Sequence, residues 1–132
     1  MQHTALINTM VLMSAADSEM SDAELYTIGE IVRTLPVFDG YDPAMLPKTA
    51  EDCAELIGQE GGLDMVIGLV KESLPPRLRE TAYALACDIA ATGGQVGQEE
   101  ARLLEMLRHG LGLDRLVAAS IERGSRAHYQ RI

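Results

Sequence analysis

Two segments of the chain, with Glu24 and Glu100 at matching positions 76 residues apart, repeat one pattern of apolar and polar residues. In each segment an amphipathic helix, a short polar stretch and a second amphipathic helix follow one another. The matched apolar positions are Met13 with Ile89, Met20 with Val96, Ile28 with Leu104 and Ile31 with Leu107. A repeated helical hairpin can bury its apolar faces against its own copy. The repeat, about 5–35 and 78–111, therefore predicts a four-helix core whose hairpins are related by a pseudo-two-fold axis.

The rest of the chain also carries the three-to-four-residue apolar spacing of helices, and no segment alternates like a strand. One Phe, four Tyr and no Trp among the 132 residues agree with a helix-rich composition. We predict an all-α fold of about seven helices in one domain over residues 1–132. The predicted helices are 4–16, 22–35, 50–59, 63–74, 75–92, 99–111 and 114–123. Thr49 is the predicted N-cap of the third helix, and the polar tail from Gly124 is predicted to fray.

The charge of the chain limits its partners. A net charge of −9 repels phosphate backbones, which argues against a nucleic-acid partner. The N-terminus has no Lys or Arg before its apolar stretch, unlike a signal peptide, and that stretch is shorter than the ~20 residues of a membrane span. We therefore expect no membrane span and a cytoplasmic location, where Cys53 and Cys87 are predicted to be buried, reduced thiols.

The segment AADSEMSDAEL, residues 15–25, concentrates four carboxylates between two helices. Ser21 and Glu24 form the sequence pattern of a capping box, and Asp22 is favourable in a first helical turn. Capping leaves Asp17 and Glu19 unexplained, and Asp17 follows a helix C-terminus, where the local potential is already negative. Carboxylates and carbonyls there could ligate Ca²⁺, Mg²⁺ or Mn²⁺, with Glu24 closing the shell. A helix cap and a cation site are both open interpretations at this point.

The same residues carry a family resemblance. An Ala-Ala-Asp motif at the end of one helix, followed by a hydrophobic residue and then Glu near the start of the next, resembles the TerB-like family. The stretch PPRLRETAYALAC at 75–87, with a degenerate second motif after it, is similar to bacterial homologues of that family. Across the repeat, Gly93 stands where an acidic residue is expected, and Ser18 replaces the usual glycine of the first motif.

The resemblance, which spans about residues 5–123, implies a small all-helical cytoplasmic protein associated with tellurite resistance and chemical stress, without enzymatic activity. It also implies that acidic residues of the motif turns bind metal, which maps to Asp17 and Glu24 in the first copy and to Glu100 in the second. With Glu19 added from the local chemistry, the predicted metal ligands are Asp17, Glu19, Glu24 and Glu100, and we predict no catalytic residues. The alternative is a helical protein–protein interaction module without metal, acting with a protein partner or as a homodimer.

Overall fold

The computed structural model describes residues 1–15, 22–92 and 96–132. Within these ranges the chain is all-helical, which confirms the predicted fold class. The described α-helices are α1 (Gln2–Ser14), α2 (Asp22–Thr34), α3 (Leu46–Ile57), α4 (Gly62–Ser73), α5 (Pro76–Ala91), α6 (Gln98–Leu111) and α7 (Arg115–His128). Short 3₁₀ turns cover Pro36–Phe38 and Pro43–Met45. The pseudo-two-fold relation between the two hairpins stays a prediction.

Helix α1 lies at the centre of the bundle. Its apolar residues point to almost every side, and Leu6, Ile7, Met10 and Val11 are all fully buried. A helix that is apolar around its circumference must be covered on all sides, and α1 packs against α5, α3 and α4. Its buried hydroxyls donate to carbonyls one turn back, as in the 2.9 Å bond from Thr9 Oγ1, so the core contains no unsatisfied polar atom among the described side chains.

Helix α5 is the second central element. It packs against α1 on one side and α7 on the other, and α6 follows it in the chain and contacts it as well. Leu85, Ala86 and Ile89 bury the apolar face that the sequence pattern assigns to this helix. The three helices α5, α6 and α7 therefore share one end of the bundle, and a cavity opens between them.

The start of α3 differs from the prediction. Thr49 is not an N-cap: α3 begins at Leu46, directly after the 3₁₀ turn. Asp42 caps that turn by accepting from the Ala44 N–H at 3.0 Å. Thr49 Oγ1 instead donates to the Met45 carbonyl at 3.1 Å, one turn back within the continuous helical path. Pro47 suits this early start because a proline is tolerated in a first helical turn.

The predicted fraying of the tail from Gly124 is also wrong, because α7 continues to His128. Ser125 is only 7% exposed, and its hydroxyl donates to Asp88 Oδ1 on α5 at 2.8 Å. This contact fixes the last turns of α7 against the core. Nothing in the local sequence after Gly124 indicates it, since the partner lies 37 residues away.

The state of the cysteines and the length of the helices bear on two further predictions. Cys53 and Cys87 are free and buried, as predicted. In the described ranges, no helix combines the length and the apolar character that crossing a membrane requires.

Candidate functional site

The acidic segment joins the end of α1 to the start of α2. Helix α1 ends at Ser14, and Ala15 is its C-cap residue. Helix α2 begins at Asp22 and has Asp22 and Glu24 in its first turn, where carboxylates favour the positive end of the helix dipole. Asp17, Glu19 and the predicted cap residue Ser21 lie outside the described residues. The structure therefore places Glu24 in the first turn of α2, and the assignment of Asp17, Glu19 and Glu24 as metal ligands stays a prediction.

Glu100, the matching residue of the second copy, lies in the first turn of α6. Its carboxylate accepts from the Gly97 backbone N–H at 3.1 Å, which is the return half of a capping box. The acid that both copies retain thus has a helix-capping function in the second copy. Among the residues that the structure describes, no group of three or more His, Cys, Asp or Glu side chains is arranged to hold a metal ion.

A cleft of about 700 Å³ opens between α5, α6 and α7, a feature that the sequence did not predict. Tyr83 and Cys87 of α5 form its floor, Leu104 and Arg108 of α6 form one wall, and α7 with the following residues forms the other. Its volume falls within the ~300–1,000 Å³ of typical small-molecule sites.

Two hydrogen bonds join α5 to α7 beside this cleft. The Tyr83 hydroxyl donates to Glu122 Oε2 at 2.5 Å, and Ser125 donates to Asp88. Burial and the Glu122 carboxylate raise the pKa of Tyr83 far above its usual range, whereas the nearby Arg108 charge acts in the opposite direction. Burial also raises the pKa of Asp88, although the Ser125 hydrogen bond and the His128 charge oppose that shift. Tyr83 is thus held neutral as a hydrogen-bond donor at physiological pH.

The sequence contains one weak signal for this arrangement. A tyrosine on the apolar face of a helix needs a partner for its hydroxyl when the ring is buried. Tyr83 lies on such a face and is 1% exposed. Its partner Glu122 is 39 residues away and lies in a polar helix, so the sequence could indicate the need for a partner but not which residue supplies it.

The two cysteines are poor nucleophiles. Burial raises the pKa of the Cys53 thiol to about 12, and burial together with nearby carboxylates raises that of Cys87 to about 12. Thiol reactivity depends on the thiolate, which is scarce at neutral pH under these conditions. The thiols lie on different helices, α3 and α5, and Cys53 contacts the Asn8 carbonyl of α1.

Two of the histidines have structural surroundings. His3 lies in the first turn of α1 and is partly buried. Its Nε2 lies 3.0 Å from the Val37 carbonyl, and its ring stacks on Phe38 with centroids 5.7 Å apart. His109 lies in the last turn of α6, where positive charge favours the helix dipole. These contacts account for both residues without a catalytic role.

The central α1 and the acidic first turns of α2 and α6 belong to a small all-helical bundle. The family model described as tellurite resistance protein TerB matches residues 3–122. Since the match covers most of the chain, this protein belongs to the TerB family, as the resemblance predicts. Searches of curated proteins and of solved structures gave no match to the chain.

Proposed function

We propose that this TerB-family protein acts in the cytoplasmic response to tellurite and related chemical stress, as a non-enzymatic protein that binds a divalent cation through its acidic segment. The observation that carries the proposal is the family match, which includes the whole of the segment between α1 and α2. The segment supplies Asp17 and Glu19, and the first turn of α2 supplies Glu24.

The electrostatics at the C-terminal end of α1 support a cation in the segment that follows it. Helix α1 has no basic residue in its last turn to offset its C-terminal carbonyls. Asp17 follows two residues after the C-cap residue Ala15 and adds negative charge at this end. A hard divalent cation relieves that repulsion, and carboxylate and carbonyl oxygens are the ligands that Ca²⁺, Mg²⁺ and Mn²⁺ prefer.

The second copy is the weaker candidate for a cation. There Gly93, Gln95 and Gln98 stand at the positions of the first-copy acids Asp17, Glu19 and Asp22. Glu100 accepts from the Gly97 N–H, and a cap of this kind satisfies a helix end without metal. We therefore propose one cation site in the first copy, with Glu100 in a secondary role.

Calorimetric titration of the metal-free protein with Ca²⁺, Mg²⁺ and Mn²⁺ tests the cation site. Binding of at least one ion is expected for the parent, and Asp17→Asn should weaken it by about tenfold or more because a charged ligand is lost. Asp39→Asn is the matched control. Asp39 is exposed in the loop after α2, and its substitution removes the same charge outside the proposed site. Absence of heat with all three ions, or equal weakening by both variants, would contradict the proposed site.

The alternative, a helical interaction module, is favoured by apolar side chains that α2 and α7 present to solvent. Tyr26 is 67% exposed on α2, and Leu116 is 75% exposed on α7. Light scattering over a range of concentrations tests the homodimer version: a mass that rises with concentration in the parent and less in Leu116→Ser supports it. A monomer at every concentration rejects it.

A further inference from the structure

The cleft between α5, α6 and α7 combines an apolar interior with charged walls. Ala91, Val96 and Leu104 supply apolar surface, and Val96 is 47% exposed at the edge. Three arginines line the same cleft: Arg108 from α6, Arg126 from α7 and Arg131 from the residues after α7. An apolar cavity with a few convergent polar groups is the usual form of a small-molecule site.

The arginines of the cleft have no carboxylate partner among the described residues. Ion pairs between described side chains join Arg33 to Glu30 and Lys48 to Asp52, both elsewhere on the surface. Of the two glutamates that line the cleft, Glu122 already accepts the Tyr83 hydroxyl, and Glu105 lies exposed on α6. The guanidinium groups are therefore available to a ligand, and guanidinium binds carboxylate with two parallel hydrogen bonds.

The charge of the cleft is opposite in sign to that of the chain. Its side chains include three arginines and two glutamates, while the whole chain carries −9. Residues 98–132 contain six arginines against five acidic residues. This end of the bundle therefore attracts an anion, whereas the remainder of the surface repels one. The two glutamates disfavour a dianion and leave a monoanion as the better match.

Hydrogen bonds between α5 and α7 fix two of the helices that line the cleft. Tyr83 and Ser125 are both buried, and each donates a hydrogen bond between α5 and α7. The ring of Tyr83 and the thiol of Cys87 form a floor that is already ordered. A preformed site loses less ordering free energy when a ligand binds.

We propose that this cleft is a binding site for a small organic carboxylate, whose apolar body lies against Leu104 and Ala91 and whose carboxylate is held by Arg108 and Arg126. The proposal is independent of the cation site, which lies at a different segment of the chain. No bond is made or broken, since the proposed event is binding alone.

Octanoate is a suitable probe. 1-Octanol has the same length of alkyl chain without the negative charge, and acetate has the carboxylate without the long alkyl chain. Titrations of ¹⁵N-labelled full-length protein, followed by amide chemical shifts, give both the affinity and the site. Octanoate should shift amides of α6 and α7 around the cleft and bind about tenfold or more tightly than 1-octanol. Acetate should bind more weakly than octanoate because it buries no apolar surface.

Arg108→Gln should lower octanoate affinity by about tenfold or more, since it loses a charge-assisted hydrogen bond. Arg115→Gln is the matched control, because Arg115 is exposed at the start of α7 and outside the cleft. Ala91→Phe should block the body of the ligand, and circular dichroism checks that each variant is folded. Equal affinity for octanoate and 1-octanol, equal effects of both arginine variants, or shifts confined to other helices would overturn the proposal. Tighter binding of octyl phosphate than of octanoate would overturn the choice of a carboxylate.

Discussion

Replacing Tyr83 by Phe removes the hydroxyl that joins α5 to α7 and leaves the ring in place. The hydroxyl donates to Glu122 Oε2 at 2.5 Å, and the residue is 1% exposed. The variant leaves Glu122 without this donor, and a partly buried carboxylate without its donor loses stability. The expected effect is therefore a less stable chain with an unchanged helical fold.

The magnitude follows from the character of the bond. A hydrogen bond to a charged group contributes about 1.5–3 kcal/mol to stability. Since Glu122 is only partly buried, water recovers some of this loss in the variant. We expect Tyr83→Phe to lower the free energy of unfolding by about 1.5 kcal/mol, at the lower end of the range.

Urea denaturation followed by circular dichroism measures this loss, with a fall of about 0.75 M in the midpoint at a slope near 2 kcal/mol/M. Tyr26→Phe is the matched control, because Tyr26 is 67% exposed on α2; it should change stability by less than about 0.5 kcal/mol. In a Glu122→Ala background, Tyr83→Phe should cost much less than in the parent, since the partner is already absent. Equal effects of the two tyrosine variants, or no coupling to Glu122, would refute the reasoning.

Gly110→Ala on α6 should destabilise the chain by about 1–2 kcal/mol in urea despite alanine's helix propensity, because the new methyl group would overlap the Ile67 side chain of α4. The loss should be smaller in an Ile67→Ala background, and a stabilised single variant would contradict this packing. Asp88→Asn keeps an acceptor for Ser125. Because the pKa of Asp88 is raised from its usual 3.8, the parent loses stability as pH rises from about 4 through the raised value. Thermal melts should show the melting temperature of the variant increasing relative to that of the parent over this rise in pH. A difference in melting temperature that does not change with pH would reject the raised pKa of Asp88. The two buried thiols should react with a thiol reagent far more slowly in the native chain than in urea, since the pKa of each is raised to about 12; equal rates would exclude their burial.

Helix identity followed from the sequence where local patterning and tertiary packing agree. The apolar spacing of α1 and α5 predicted both central helices because these faces are what the core buries. Prediction failed where a single side-chain contact, whether long-range or local, decides the boundary. The end of α7 depends on Ser125 bonding Asp88, and the start of α3 depends on the 3₁₀ turn that Asp42 caps. Neither contact has a periodic signature.

The two candidate sites also differ in whether the sequence alone indicates them. The acids of residues 17–24 are adjacent in the chain, so their chemistry is visible as a sequence motif. The cleft draws on α5, α6 and α7, and residues such as Tyr83, Arg108 and Arg126 share no local pattern. Only the folded chain brings them together, which is why the sequence predicted the first site and missed the second.

The proposed cation site between α1 and α2 is tested most directly by an anomalous difference map from crystals grown with Mn²⁺. We expect an anomalous peak that marks an ion about 2.0–2.6 Å from carboxylate oxygens of Asp17 and Glu19. The peak should be absent from crystals of Asp17→Asn. A map at saturating Mn²⁺ with no peak in this segment, or with peaks only on other helices, would contradict the proposed function.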